Sequence, residues 1–543
     1  MSQPHVPAPP VVDQRHGPGA ERAALDVLLL VQCCGCYAFM LEIERITRRN
    51  MHNGTLLAAV DLGSNSFRLE IGRFEHGHIQ RMEYLKETVR LGNGLDEEFN
   101  LTPEAMQRGL DCLARFGERL AGFERAQVRA VATQTLREAR NREVFLTRGG
   151  EVLGYAIDVV SGPEEARLIY QGVARLLPQS DERRLVVDIG GRSTEFILGQ
   201  QFKPNTVASF RVGSVAWSTR YFADGQFTRQ AFLAAEIAAK AVLDEALGTF
   251  RPDTWDVAYG SSGTAGAVGD ILAAAGGPEG LITAEGLDWL QDRLLRSHHA
   301  DRVRLEGLKE DRRAVIGGGI SVLRAVFDLL EIRQMHVAQG ALRQGALYDL
   351  LDREQPETDL RNTTVNGLMQ RFAVDTAQAE RVARVASTLF TQAAPLNSDR
   401  AARKLEWAAH LHEIGGIISH SEYHRHGAYI LDHTDAAGFA VSELHRLGAL
   451  VLGQRGKVRK LEIELINDSI FSLQLLSLRV AVALCHARRD PDIEGLSLHA
   501  VGTRHTISTR AGWAATYPQS AYLLREEVVA WQKTPWELEL NLG

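Results

Sequence analysis

Cysteine is scarce in this chain. Five occur in 543 residues; Cys33, Cys34 and Cys36 crowd near the start, while Cys112 and Cys485 stand alone. That spacing excludes a disulfide framework and fits a reducing compartment, the cytoplasm. Excess positive charge is also missing: 61 Lys and Arg stand against 68 Asp and Glu, a net charge of −7. A nucleic-acid-coating surface is thereby excluded, whereas a local basic channel is not. Membrane-spanning hydrophobic runs are lacking too. The apolar stretch from Val27 to Met40 is too short, and Asp26, Gln32 and Glu42 bracket and interrupt it. It has no clear small-residue cleavage site, and Asp13 and Glu21 spoil a signal-peptide start.

The rest of the composition is ordinary for a globular protein, 45% hydrophobic and 24% charged. A chain of 543 residues is too long for one core and predicts three or four domains. Residues 1–22 are Pro-rich, and Met51 stands just before the first clean strand. We therefore expect residues 1–54 to be an extension ahead of the fold, with translation starting at Met51. The Cys33–Cys36 cluster has no partner ligands nearby in sequence and does not read as a metal site.

Two stretches are imperfect copies of one another. Val60-Asp-Leu-Gly-Ser-Asn-Ser-Phe-Arg-Leu-Glu-Ile-Gly72 recurs 127 residues later as Val187-Asp-Ile-Gly-Gly-Arg-Ser-Thr-Glu-Phe-Ile-Leu-Gly199, with five of thirteen positions identical. Each is an apolar run ending in Asp, a Gly/Ser turn and a second strand-like run. Such turns present backbone N–H groups to phosphate. Around them the pattern is strand, turn, strand, helix, strand, helix, and it then restarts. Leu57–Leu62 with Phe67–Phe74, and Leu185–Ile189 with Thr194–Leu198, read as hairpins. Thr102-Pro103 reads as a helix N-cap followed by an N1 proline. Ser161-Gly162-Pro163 turns into another helix, and Val257–Tyr259 enters Gly260-Ser-Ser-Gly-Thr264. This alternation predicts an α/β class with two related lobes, 55–180 and 181–355, and a cleft between them. Residues 360–485 read as helical. Leu496–Ile507 and Trp513–Leu523 suggest a small β-containing cap over 486–543.

These residues resemble the exopolyphosphatase / guanosine pentaphosphate phosphohydrolase (Ppx/GppA) family, most of all its long bacterial exopolyphosphatases. The resemblance rests on an ordered set: Asp61-Leu-Gly-Ser-Asn-Ser66, Thr133-Gln-Thr-Leu-Arg137, Ser161-Gly-Pro-Glu-Glu-Ala-Arg167, Asp188-Ile-Gly-Gly-Arg-Ser-Thr-Glu195, Arg211-Val-Gly213, Gly260–Thr264 and Gly340-Ala-Leu-Arg-Gln-Gly345. It implies two actin-like ATPase (ribonuclease H-like) lobes, an all-α domain similar to HD phosphohydrolases, and a small α+β cap.

The reaction it implies is attack of water on a terminal phosphorus, which needs positioning, charge neutralisation and a base. Glu165 matches the family's catalytic glutamate; on the residues alone, an acid in a first helical turn equally serves the helix dipole. Arg137 is the expected fixed positive charge, able to bind phosphate bidentately. Asp61, Asp188 and Glu195 are the expected ligands of Mg2+, or Mn2+ in its place, since hard cations take oxygen ligands. Each Asp alternatively caps its own turn, and Glu195 alternatively is an ordinary exposed glutamate. Ser64, Asn65, Ser66, Gly190, Gly191, Ser193 and Thr194 are expected to contact phosphate oxygens through N–H and hydroxyl groups, with Gly263 and Thr264 joining from the third loop. Arg192 stands where the family usually carries glycine. A positive φ there would cost roughly 1 kcal/mol or more, and the side chain could instead add a phosphate contact.

In the helical region His412-Glu413 replaces the His-Asp metal pair of HD proteins, so a packing and polyanion-binding role is expected. Arg455, Lys457, Arg459 and Lys460 put four cations in six residues, a solvated face or a guide track for polyphosphate. The main expectation is metal-dependent, processive release of terminal phosphate from inorganic polyphosphate. The alternative is the 5′-phosphohydrolysis of guanosine pentaphosphate, with the penta- and tetraphosphate as ligands. From other classes come an actin-like kinase and a non-catalytic polyphosphate or alarmone sensor. The resemblance also implies a homodimer, in the cytoplasm or at the inner face of the membrane.

Overall fold

The computed structural model describes residues 53–354, 358–396, 398–532 and 534–543. The readings made on residues 1–52, namely the extension, the start at Met51 and the Cys33–Cys36 cluster, lie outside the described residues.

Lobe I is a five-stranded sheet of order β3-β2-β1-β4-β5, built from β1 (Leu56–Leu62), β2 (Phe67–Glu75), β3 (His78–Glu87), β4 (Val128–Ala132) and β5 (Ile157–Val159). β1 is buried along all but its first residue, as its near-continuous apolar run requires of a central strand. It pairs antiparallel with β2 and parallel with β4. Helix Pro103–Arg119 covers the sheet, started by Thr102, whose hydroxyl accepts the Ala105 N–H, and by Pro103 at N1.

Lobe II repeats the plan. β6 (Arg183–Ile189), β7 (Thr194–Gln200), β8 (Lys203–Phe210), β9 (Val257–Ser261), β10 (Leu281–Thr283) and β11 (Gln334–Val337) form a sheet of order β10-β11-β9-β6-β7-β8. β6 pairs antiparallel with β7 and parallel with β9. The sequence repeat is therefore a repeat of topology, with both Gly/Ser turns joining the first two strands of their sheets. This is the actin-like ATPase fold, the two lobes expected from the sequence.

Helix Gly162–Ala174 joins the lobes. Its Leu168, Ile169 and Val173 share one buried cluster with Val131 of lobe I and Val186 and Ile197 of lobe II. It lies backbone to backbone on helix Leu342–Glu354: a Cβ on Gly172 or Gly345 would fall on the carbonyl of Ala341 or Leu168.

From Leu360 to Leu484 the chain is helical around its own core, which includes Phe390, Trp407, Leu450 and Leu476. It docks on the lobes through Gly438, whose N–H donates to Glu164 Oε2 at 2.8 Å and whose carbonyl accepts from Arg353. The chain ends in a three-stranded sheet, β12 (Ser497–Val501), β13 (Arg504–Ser508) and β14 (Glu537–Asn541). The stretch Trp513–Leu523, expected to join that β-structure, is helical instead. Trp513–Thr516 and Pro518–Trp531 are helices, the second opened by Pro518, with Ala521, Leu524 and Trp531 on its buried face. Its aromatics suggested a strand, but their spacing serves a helix. No helix among the described residues is long and apolar enough to cross a membrane.

Candidate active site

Both Gly/Ser turns open into one cavity of about 470 Å³ between the lobes. In the first turn, Gly92 N–H and Arg90 N–H donate to the carbonyls of Ser64 and Asn65, at 2.8 and 2.9 Å. Ser64 Oγ accepts from Thr135 at 2.8 Å. The Ser66 hydroxyl and the Asn65 Nδ2 are buried with no protein partner among the described residues. Unpaired buried polar groups are costly, and both residues line the cavity. In the second turn, Gly190 N–H donates to Ser193 O at 2.9 Å, and helix Ser214–Tyr221 begins against it. Gly191 faces Ser64 so closely that a Cβ there would stand 2.9 Å from the Ser64 Cβ. A third turn enters helix Ser262–Ala274 through Ser262, held at φ +71°. That conformation costs a non-glycine residue of order 1–3 kcal/mol and is typical of functional turns.

The carboxylates are arranged asymmetrically. Asp61 lies opposite Arg68 across the first hairpin, whereas Asp188 lies opposite Glu195 across the second. Asp61 is neutralised by Arg68 at 3.1 Å and Arg343 at 3.5 Å. Asp188 is pushed up to about 7, by burial first and then by Glu165, against hydrogen bonds from Ser261 and Ser262. Glu195 is raised well above the usual carboxylate range, again by burial first and then by Glu165 and Asp188. Its Oε1 accepts from Ser209 Oγ at 2.8 Å, and its Oε2 is buried without a partner among the described residues. Glu165 is likewise raised by burial, opposed by Arg137. Three carboxyl groups thus crowd together with too little compensation from protein, so each resists ionisation until an incoming cation offsets the charge.

The structure places the other expected residues as follows. Arg137 Nη1 donates to Glu165 Oε2 at 2.7 Å and to the Val160 carbonyl at 2.8 Å, while Nε and Nη2 bond Gln134. It orients Glu165, with little of its guanidinium left for phosphate. The Thr194 and Thr264 hydroxyls are buried and donate to the Val212 and Ile189 carbonyls at 2.6 and 3.0 Å. They brace the turns rather than face the cavity, contrary to expectation. Arg192 is not at positive φ, so the expected strain is absent, and its side chain bonds Glu138 and the Gly92 carbonyl. Gly263 lies on the cavity wall against the Arg312 guanidinium. Arg455, Lys457 and Arg459 are exposed and Lys460 half-buried in the helical region, and none lines the cavity. His412 is buried with Nδ1 2.7 Å from the Ala409 carbonyl, and Glu413 is held by Arg488. Among the described residues no three His, Cys, Asp or Glu side chains form a ready-made metal cage.

Sequence reasoning missed the cations of the cavity: Arg68, Lys86, Lys309, Arg312 and Arg343. Burial and the nearby Arg68 lower Arg312, a sign of insufficient negative charge around it. Arg68 had a readable signal, because it occupies the repeat position that Glu195 holds in lobe II. The others come from three distant segments, and no local pattern marks them.

Two actin-like lobes closing on buried carboxylates beneath a cationic rim make this a phosphoanhydride hydrolase. The comparisons agree: the model of the Ppx/GppA phosphatase family matches residues 71–354, and that of Ppx/GppA phosphatase, domain III, matches residues 360–528. The chain belongs to the Ppx/GppA phosphatase family. It is similar to the guanosine-5′-triphosphate,3′-diphosphate pyrophosphatase of Vibrio atlanticus, at 39% identity over 90% of this chain and 98% of that one. The protein of the same name from Aeromonas hydrophila is 37% identical over 90% and 99%. Among solved structures, an exopolyphosphatase from Cytophaga hutchinsonii is 26% identical with a TM-score of 0.50, covering 55% of this chain and 98% of that one.

Proposed function

We propose that this chain hydrolyses the terminal 5′ phosphoanhydride of guanosine pentaphosphate, releasing phosphate and leaving the tetraphosphate. The observation that carries this reading is the 39% identity, along nearly its whole length, to a relative named for that substrate. It reverses the order expected from the sequence, where the long form favoured polyphosphate. The helical domain behind that preference matches the family's domain III.

In this reading Glu165 accepts the proton of the attacking water, and Arg137 fixes its carboxylate. The two Gly/Ser turns, with the unpaired Ser66 and Asn65 donors, hold the terminal phosphate. Arg68, Arg312 and Arg343 hold the remaining phosphates. Asp188 and Glu195 fit a hard divalent cation, Mg2+ or Mn2+. Such a cation is commonly held by one or two carboxylates plus substrate phosphates and would supply charge neutralisation there. Asp61, already paired with two arginines, fits that role less well.

The deciding measurement is phosphate release from guanosine pentaphosphate and from long-chain polyphosphate in competition, with Mg2+. A higher kcat/KM for the nucleotide is expected, and a higher value for polyphosphate would restore the other assignment. A kinase reading would require phosphate transfer to an acceptor instead of release.

A further inference from the structure

Arg192 sits in the second phosphate turn, yet its side chain leaves the cavity. Its Nε donates to Glu138 Oε2 at 2.9 Å and its Nη1 to the Gly92 carbonyl at 3.2 Å, both in lobe I. The contact continues inward. Glu138 Oε1 accepts from Gln134 Nε2 at 2.7 Å, and Gln134 Oε1 accepts from Arg137 Nε and Nη2 at 3.0 and 2.6 Å. Arg137 Nη1 then donates to Glu165 Oε2 at 2.7 Å. The Gln134 amide has a carboxylate on its NH2 side and a guanidinium on its oxygen side, so its orientation is fixed. All four charged side chains are at least four-fifths buried, and limited screening strengthens such a network.

We infer that Arg192 is an interlobe latch and a positioning residue. It ties the second phosphate turn to lobe I, and through Glu138, Gln134 and Arg137 it aims the Glu165 carboxylate. The base is then correctly aimed only when the lobes are closed, which links closure around a substrate to chemistry. The catalytic half of this inference rests on the hydrolase reading of Glu165; the latch rests on geometry alone.

The test compares wild type, Arg192→Ala, Glu138→Ala, the double variant and Arg192→Lys. Steady-state kinetics use guanosine pentaphosphate with Mg2+, and amide hydrogen exchange is followed over residues 88–95 and 188–196. Either single alanine variant is expected to lower kcat about tenfold with KM within about twofold, and the double variant to lose no more than the singles. Exchange should quicken in both segments, and Arg192→Lys, which keeps the ion pair, should recover part of kcat. Additive losses, or a raised KM with unchanged kcat, would overturn the inference and make Arg192 a direct phosphate contact. Should wild type use polyphosphate alone, the proposed substrate fails and the same variants are read on polyphosphate. Should wild type hydrolyse neither, the hydrolase reading fails, and unchanged exchange would still refute the latch.

Discussion

At the scale of the residue, one difference between the two repeats decides the chemistry. The position opposite the strand-ending aspartate holds Arg68 in lobe I and Glu195 in lobe II. One aspartate is therefore neutralised, while the other shares buried space with two glutamates. Glu165→Gln is expected to lower kcat by ~10²–10⁴-fold, the usual range for a lost general base, with KM nearly unchanged in steady-state assays. Asp188 illustrates stability yielding to function. Its carboxyl is raised from 3.8 to about 7, so the folded chain holds a proton there that the unfolded chain has lost. Metal-free stability should thus fall as pH rises from about 3.8 to about 7, where the folded chain alone keeps the proton, and this group's contribution should be constant above 7. Asp188→Asn should stabilise the metal-free protein by roughly 4 kcal/mol at pH 8, with a smaller gain at pH 5, while abolishing turnover. Thermal melts at the two pH values check the sign.

At the scale of the element, helix Gly162–Ala174 carries the base, and its position is set by contact with helix Leu342–Glu354. The two approach so closely because Gly345 meets the Leu168 carbonyl and Gly172 that of Ala341. Gly345→Ala should drive the helices apart, with a loss of roughly 3 kcal/mol from overpacking and displacement of Glu165. Denaturant unfolding and kcat should fall together. The same rule of spacing explains the C-terminal cap. Trp513 and Tyr517 lie four apart and their rings meet at 5.4 Å with a 50° tilt, which favours a helix over a strand there.

At the scale of the molecule, the helical region is anchored one residue from the base. Glu164 accepts from Gly438 N–H and, through both oxygens, from Arg167, which continues to Asp349. Gly438 has φ +87°, and a Cβ there would meet Arg361. Glu164→Ala would leave Arg167, and Arg129 of β4 whose Nη2 lies 3.8 Å from Glu164 Oε1, buried around a lost charge, and an expected loss of about 3–5 kcal/mol is measurable by denaturant unfolding. Gly438→Ala should cost about 1–3 kcal/mol through backbone strain, seen as a lower melting temperature.

The sequence alone determined the duplicated strand–turn–strand units, the helix starts and the helical region, because local periodicity and turn chemistry encode them. It also marked Glu165, Asp188 and both turns as neighbours of a phosphate site. Only the tertiary structure decided which side chains face the cavity. It turned the Thr194 and Thr264 hydroxyls inward to backbone carbonyls and drew Lys86, Lys309, Arg312 and Arg343 to one rim from distant segments. It also sent Arg192 across the lobes to Glu138. Partners so remote in the chain are chosen by packing, and packing leaves no periodic trace in sequence.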